Sequence, residues 1–113
     1  MSMRILPRIL SASVFFSPLI ELPVAANATD FTAKVVMEQM TEEQRYSYLA
    51  GVVEGLAYAR YAKDGKQADG MNCIYDWFYS NPKVTDLIYA AFGQYPDYTP
   101  GAVVSALAKR KCN

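Results

Sequence analysis

Two cysteines, Cys73 and Cys112, are the only thiols in a chain of 113 residues that contains no histidine. Without imidazole the chain lacks the usual general base near neutral pH, the commonest zinc ligand and every catalytic triad built on histidine. The cysteines stand too far apart to form the Cys-x-x-Cys turn in which one thiol activates the other. Carboxylates are the remaining candidates for acid-base work: Glu42, Glu43 and Glu54 in one segment, Asp76 and Asp86 further on. Paired carboxylates work as acid and base only when their environments split their pKa values, and nothing in the spacing makes these five converge. No phosphate-cradling glycine loop, nucleophile elbow or calcium-loop spacing is present. The expectation is a protein that is not an enzyme and that needs neither metal nor cofactor.

Tyrosine is the other residue type that stands out, with nine copies in the chain. They pair along the sequence: Tyr58 with Tyr61, Tyr75 with Tyr79, and Tyr95 with Tyr98 on either side of Pro96-Asp97. Tyrosine combines a large rigid contact area with a polar tip, which suits a protein interface. It also finishes the margins of small cores, so each of the six has a structural reading beside the partner-binding one. With 11 Lys+Arg against 11 Asp+Glu there is no basic excess from which counterion release could drive nucleic-acid binding. The expected partner is therefore another protein, and a second copy of the chain is among those admitted.

The first 28 residues have the pattern of a secretory signal peptide. Arg4 and Arg8 supply the basic start, residues 9–20 form a short apolar middle, and Ala26-Asn27-Ala28 offers a small-x-small cleavage site. Pro7, Pro18, Glu21 and Pro23 interrupt the segment, which argues against an uncleaved span of a bilayer roughly 30 Å thick. Cleavage after Ala28, with Ala26 as the second choice, would leave a nearly neutral mature domain, residues 29–113, in the periplasm or outside the cell. A domain of that size buries only about 60% of the surface its unfolded chain exposes, so a covalent staple helps it greatly. In an oxidising compartment Cys73 and Cys112 are expected to form one disulfide. A closed loop of about 40 residues stabilises by roughly 4 kcal/mol on the chain-entropy account.

The elements that position these residues read as helices. Thr29 or Asp30 can cap a first helix through Met40, with Phe31, Val35, Val36 and Met40 on one side. Thr41-Glu42-Glu43-Gln44 is a capping box that opens a helix to about Lys63, with Tyr46, Leu49, Val52, Val53, Leu56 and Ala59 as its apolar stripe. Gly51 and Gly55 interrupt that helix four residues apart, which predicts close approach of another backbone. Residues 64–72 read as a polar loop, followed by a short aromatic helix from Asn72 or Cys73 to Asn81-Pro82 with Ile74, Trp77 and Phe78 facing inward. Pro82 opens a helix carrying Val84, Leu87, Ile88, Ala91 and Phe92; Thr99-Pro100 opens the last, carrying Val103, Val104 and Leu107. No segment sustains strand alternation. The predicted fold is all-α: a small four- or five-helix domain with one disulfide, Cys73–Cys112.

Two stretches carry a resemblance. Tyr48-Leu49-Ala50-Gly51-Val52-Val53-Glu54-Gly55 resembles the Tyr-x-x-Gly-x-x-(Asp/Glu)-Gly helix of the Rap/Tai immunity proteins, small exported antagonists of type VI secretion effectors. Asn81-Pro82-Lys83-Val84-Thr85, Ala91-Phe92 before Tyr95-Pro96, and Ala102-Val103-Val104 with Ala106-Leu107 and a terminal Cys112 are similar to that family's Val-Thr helix start and its closing helix. The family's Cys-Pro before Val-Thr is absent, Cys73 stands well ahead of Val84, and Tyr95 stands where the family has histidine. The resemblance implies an exported helical protein that binds and inhibits a secreted toxic effector. Related helical architecture occurs in the periplasmic acid-stress chaperone HdeA, which gives the alternative expectation.

Overall fold

The computed structural model describes residues 30–113; the proposed signal peptide lies outside the described residues. Five helices follow in order: α1 (Ala33–Gln39), α2 (Glu42–Lys63), α3 (Asp69–Tyr79), α4 (Val84–Gln94) and α5 (Pro100–Lys111), with no strand among the described residues. The all-α expectation holds, and so does the staple: Cys73 in α3 is bonded to Cys112 at the end of α5, with their Cα atoms 5.8 Å apart.

The caps explain most of the boundaries. The Thr41 hydroxyl accepts from the Gln44 amide at 3.2 Å, while the Gln44 side chain accepts from the Thr41 amide at 2.9 Å, which is the reciprocal capping box. Glu42 and Glu43 then lie in the first turn of α2, where the helix dipole favours negative charge. Thr99 caps α5 through the Ala102 amide, Pro100 fills the first helical position, and Lys109, Arg110 and Lys111 complement the far end. The cap of α1 is Thr32, not Thr29 or Asp30. Two further first-turn amides of α1 are satisfied from elsewhere: Ala33 N donates to the Tyr98 carbonyl at 2.8 Å and Lys34 N to the Pro96 carbonyl at 3.0 Å. These long-range acceptors let the helix start later than local sequence suggests.

α5 touches all four other helices, and the buried side chains gather around it. The core comprises Ala33 and Val36 of α1, Leu49, Val53 and Ala57 of α2, Ile74, Trp77 and Phe78 of α3, Val84, Ile88 and Phe92 of α4, and Val103, Val104 and Ala108 of α5. The expected stripes hold at most positions. Tyr46, Ala59 and Leu87, expected inside, are exposed, while Ala33 and Ala57 take inner positions. α2 and α3 form an antiparallel hairpin, since Tyr46 near the start of α2 stacks on Phe78 near the end of α3. The chain reverses between them at Gly65 and Lys66, whose φ values of 65° and 68° are both left-handed.

The glycines correct the close-packing reading. Gly51 and Gly55 are exposed, and a Cβ at either would meet nothing within 4 Å. No backbone among the described residues approaches that face. The close approach is at Gly70, placed by the sequence in a loop but lying in the first turn of α3 and buried. A Cβ there would fall 2.5 to 2.8 Å from three atoms of the Arg60 side chain. Arg60 cannot simply swing aside, because its Nε donates to Asp64 at 2.7 Å and its Nη1 donates to the Cys112 carbonyl.

Opposite signs are therefore expected for alanine at these sites. Gly51→Ala and Gly55→Ala should each raise stability by about 0.5–1 kcal/mol through helix propensity. Gly70→Ala should lower it by about 1–3 kcal/mol through overpacking. Urea midpoints at constant m check this, and loss of stability in Gly51→Ala would restore a close-packing role.

Candidate functional site

The six tyrosines singled out from the sequence fall in three different settings. Tyr75 and Tyr79 lie one turn apart on α3, facing Glu54 across the hairpin. Both hydroxyls donate to its carboxylate, Tyr75 to Oε1 and Tyr79 to Oε2, each at 3.1 Å. The two rings stand 6.2 Å apart, and the Tyr79 ring meets Phe78 edge-on at 5.0 Å. With Tyr46 stacked on Phe78 at 5.6 Å, four aromatic rings line the seam between α2 and α3. The hydrogen bond to Glu54 pushes the Tyr75 hydroxyl above its ordinary value of 10.0, followed by desolvation and the repulsion of that carboxylate. For Tyr79 desolvation leads, then the same hydrogen bond and carboxylate. This pair is a bracket that joins two helices, with its polar tips already occupied.

Tyr58 and Tyr61, near the end of α2, have ring centroids 6.2 Å apart. Tyr58, 66% exposed, is the most exposed of the large hydrophobic side chains among the described residues, while Tyr61 is half-buried. Tyr95 and Tyr98 flank the turn between α4 and α5, are exposed, and meet edge-on at 5.6 Å. Their turn is fixed by the α1 amides that donate to Pro96 and Tyr98, so its backbone is tied to the bundle. Among the described residues the ring contacts run within each pair and not from one pair to another.

No family model, curated protein or solved structure matches this chain.

The carboxylates have local structural roles. Glu54 accepts from the two tyrosines, Asp76 accepts from Ser80 Oγ at 3.0 Å, and Glu42, Glu43 and Asp86 occupy helix first turns. Among the described residues no three His, Cys, Asp or Glu side chains gather as metal ligands would. Two surface depressions are of interest. One, of about 320 Å³, is lined by Leu56, Arg60, Lys63, Asp64, Ser105 and Lys109. Its Arg60 and Asp64 already bond each other, so much of its charge is internally matched. The other, of about 290 Å³, runs between α4 and α5 and is chiefly apolar, with Tyr95 and Tyr98 at one end and Arg110 at the other.

Several contributors escaped the sequence reading. Tyr46 belongs to the exposed aromatic seam, and Leu87, half exposed, sits four residues before Ala91 on α4. Arg45 donates from Nη1 to the Met37 and Met40 carbonyls and lies 5.2 Å from the Tyr89 ring centre, joining α1, α2 and α4. Helical spacing places Tyr46 and Leu87 on apolar stripes, whereas nothing local to Arg45 announces its contacts with α1 and α4.

The tyrosine bracket has a pH signature. Because both phenols ionise less readily in the folded state, their contribution is complete below pH 10.0 and declines above it, where the unfolded chain loses those protons first. Tyr75→Phe with Tyr79→Phe, which keeps the rings, should flatten the alkaline fall in the urea midpoint. An unchanged alkaline limb would assign that fall elsewhere.

Proposed function

We propose that this is an exported, non-enzymatic helical domain that acts by binding another protein through its exposed tyrosines, as an immunity-type inhibitor of a secreted toxic effector. The observation that carries the reading is the exposure of Tyr58 at 66% and Tyr98 at 60% on helices and turns held by a disulfide, caps and long-range backbone bonds. Large amphipathic side chains on a fixed scaffold lose little freedom on association, which favours tight contact over turnover. The basic start, short apolar middle and Ala26-Asn27-Ala28 of residues 1–28 support export to the periplasm or beyond. The paired cysteines agree with an oxidising compartment. The resemblance to Rap/Tai proteins through residues such as Tyr48, Gly51 and Gly55 supplies the immunity role.

The acid-stress chaperone reading has less behind it. Acid loosening is easiest to understand where ionisable groups are buried within the core, and among the described residues none of the buried side chains is polar or charged. No helix among the described residues is long and apolar enough to cross a membrane.

Incubation of the tagged exported protein with periplasmic extract and with secreted proteins of the same cells should recover one stoichiometric partner at neutral pH. Tyr58→Ala or Tyr98→Ala should weaken that recovery at least tenfold with little change in melting temperature. Recovery of many unrelated proteins only at low pH would replace this reading with the chaperone, and recovery of none would remove it.

A further inference from the structure

The groove between α4 and α5 has the shape and charge of a small recognition slot. It is lined by short side chains, Ala91 from α4 and Ala102 and Ala106 from α5, together with the buried Val103 and the larger apolar surfaces of Tyr95, Tyr98 and Leu107. At about 290 Å³ it falls at the lower edge of cofactor and drug-sized pockets, which suits one or two protein side chains. Its aromatic end is pre-organised, because the Pro96 and Tyr98 carbonyls accept from the first turn of α1 and the Tyr98 amide donates to the Tyr95 carbonyl at 3.3 Å. Its other end is basic. Arg110 lines the slot, has no carboxylate partner among the described residues, and stands between the exposed Lys109 and Lys111. Side chains on a helix lean toward its N-terminus, so Arg110 reaches back along α5 toward Ala106 and the tyrosines.

We infer that this groove receives a segment of the partner protein, inserting one aromatic or branched aliphatic side chain between Tyr95, Tyr98 and Leu107 and placing a neighbouring carboxylate on Arg110. The inference rests on the protein-binding reading above and adds the location and the chemistry of the contact. Charge decides the choice of occupant: a slot that is apolar along its length and cationic at one end matches an apolar side chain followed by an acid. An apolar segment followed by a base would leave two like charges facing each other.

The probe is the acetylated, amidated tripeptide Phe-Ala-Asp, titrated into the full mature domain while amide and side-chain shifts are followed by NMR. Saturable shifts should centre on Tyr95, Tyr98, Ala106, Leu107 and Arg110. Phe-Ala-Lys and Ala-Ala-Asp should each bind more weakly, with the charge exchange alone costing up to about fivefold for an exposed pair. Arg110→Glu, at an exposed position that leaves the core intact, should reverse the preference toward Phe-Ala-Lys. Shifts centred at Tyr58, equal binding of the acidic and basic peptides, failure of Arg110→Glu to invert the preference, or binding only of a fatty-acid anion would each overturn the inference. The whole-protein partner separates this from the broader reading: recovery undiminished by Arg110→Glu and Tyr95→Ala sinks the groove and leaves protein binding standing. Absence of any partner removes the broader reading and this inference with it.

Discussion

The fold depends on one junction where three helix ends meet. Arg60, near the end of α2, donates to Asp64 on its own helix and to the Cys112 carbonyl at the end of α5, and it passes over Gly70 in the first turn of α3. Cys112 is in turn bonded to Cys73, one turn further along α3. The covalent link and the guanidinium thus bind the same three elements from two sides. A domain of this size has too little core to tolerate loose ends, and closing a loop across 39 positions contributes about 4 kcal/mol on the chain-entropy account. Arg60 adds hydrogen bonds that satisfy an α5 terminal carbonyl, one of the groups a helix end otherwise leaves unpaired.

The helices were legible where their signals are local. The capping box at Thr41, the Thr99-Pro100 start and the apolar spacing of Val84, Ile88 and Phe92 each act within a few residues, so sequence alone places α2, α4 and α5. Asp69-Gly70 was misread because polar residues and glycine are the chemistry of turns, while the reason for this glycine is the Arg60 side chain arriving from α2. Gly51 and Gly55 erred in the opposite direction: spacing of four on a helix suggests a packed face, but solvent covers this one. Tyr46 and Leu87 show the same limit. Helical phase identifies the apolar side of an element but not how much of that side its neighbours cover, and the rim of the stripe is left exposed.

The tyrosines were legible as a class and not as individuals. Nothing in the sequence distinguishes Tyr75-x-x-x-Tyr79 from Tyr95-x-x-Tyr98 as candidates for contact. The difference arises from groups far along the chain. Glu54 accepts both hydroxyls of the first pair, and α1 holds the backbone beneath the second. The first pair gives its polar tips to the hairpin and keeps only ring surface for a partner. Tyr98 and Tyr95 keep exposed faces on a fixed turn, beside an apolar groove and Arg110, which has no carboxylate partner among the described residues.

That contrast bears on how such a domain would act. Association costs freedom at every side chain and loop that must be ordered, so a surface already fixed by its own backbone bonds keeps more of its contact energy. An acid-activated chaperone needs the reverse: packing that yields when protons arrive and a surface that adapts to many clients. Among the described residues the buried side chains carry no ionisable group to drive such yielding, and three helix ends are tied at the junction of Arg60 and the disulfide. The bond between Glu54 and its two tyrosines joins α2 and α3 at the surface, so its loss would loosen a rim without opening the centre. These ties support the proposed recognition of one partner over general capture of unfolded chains.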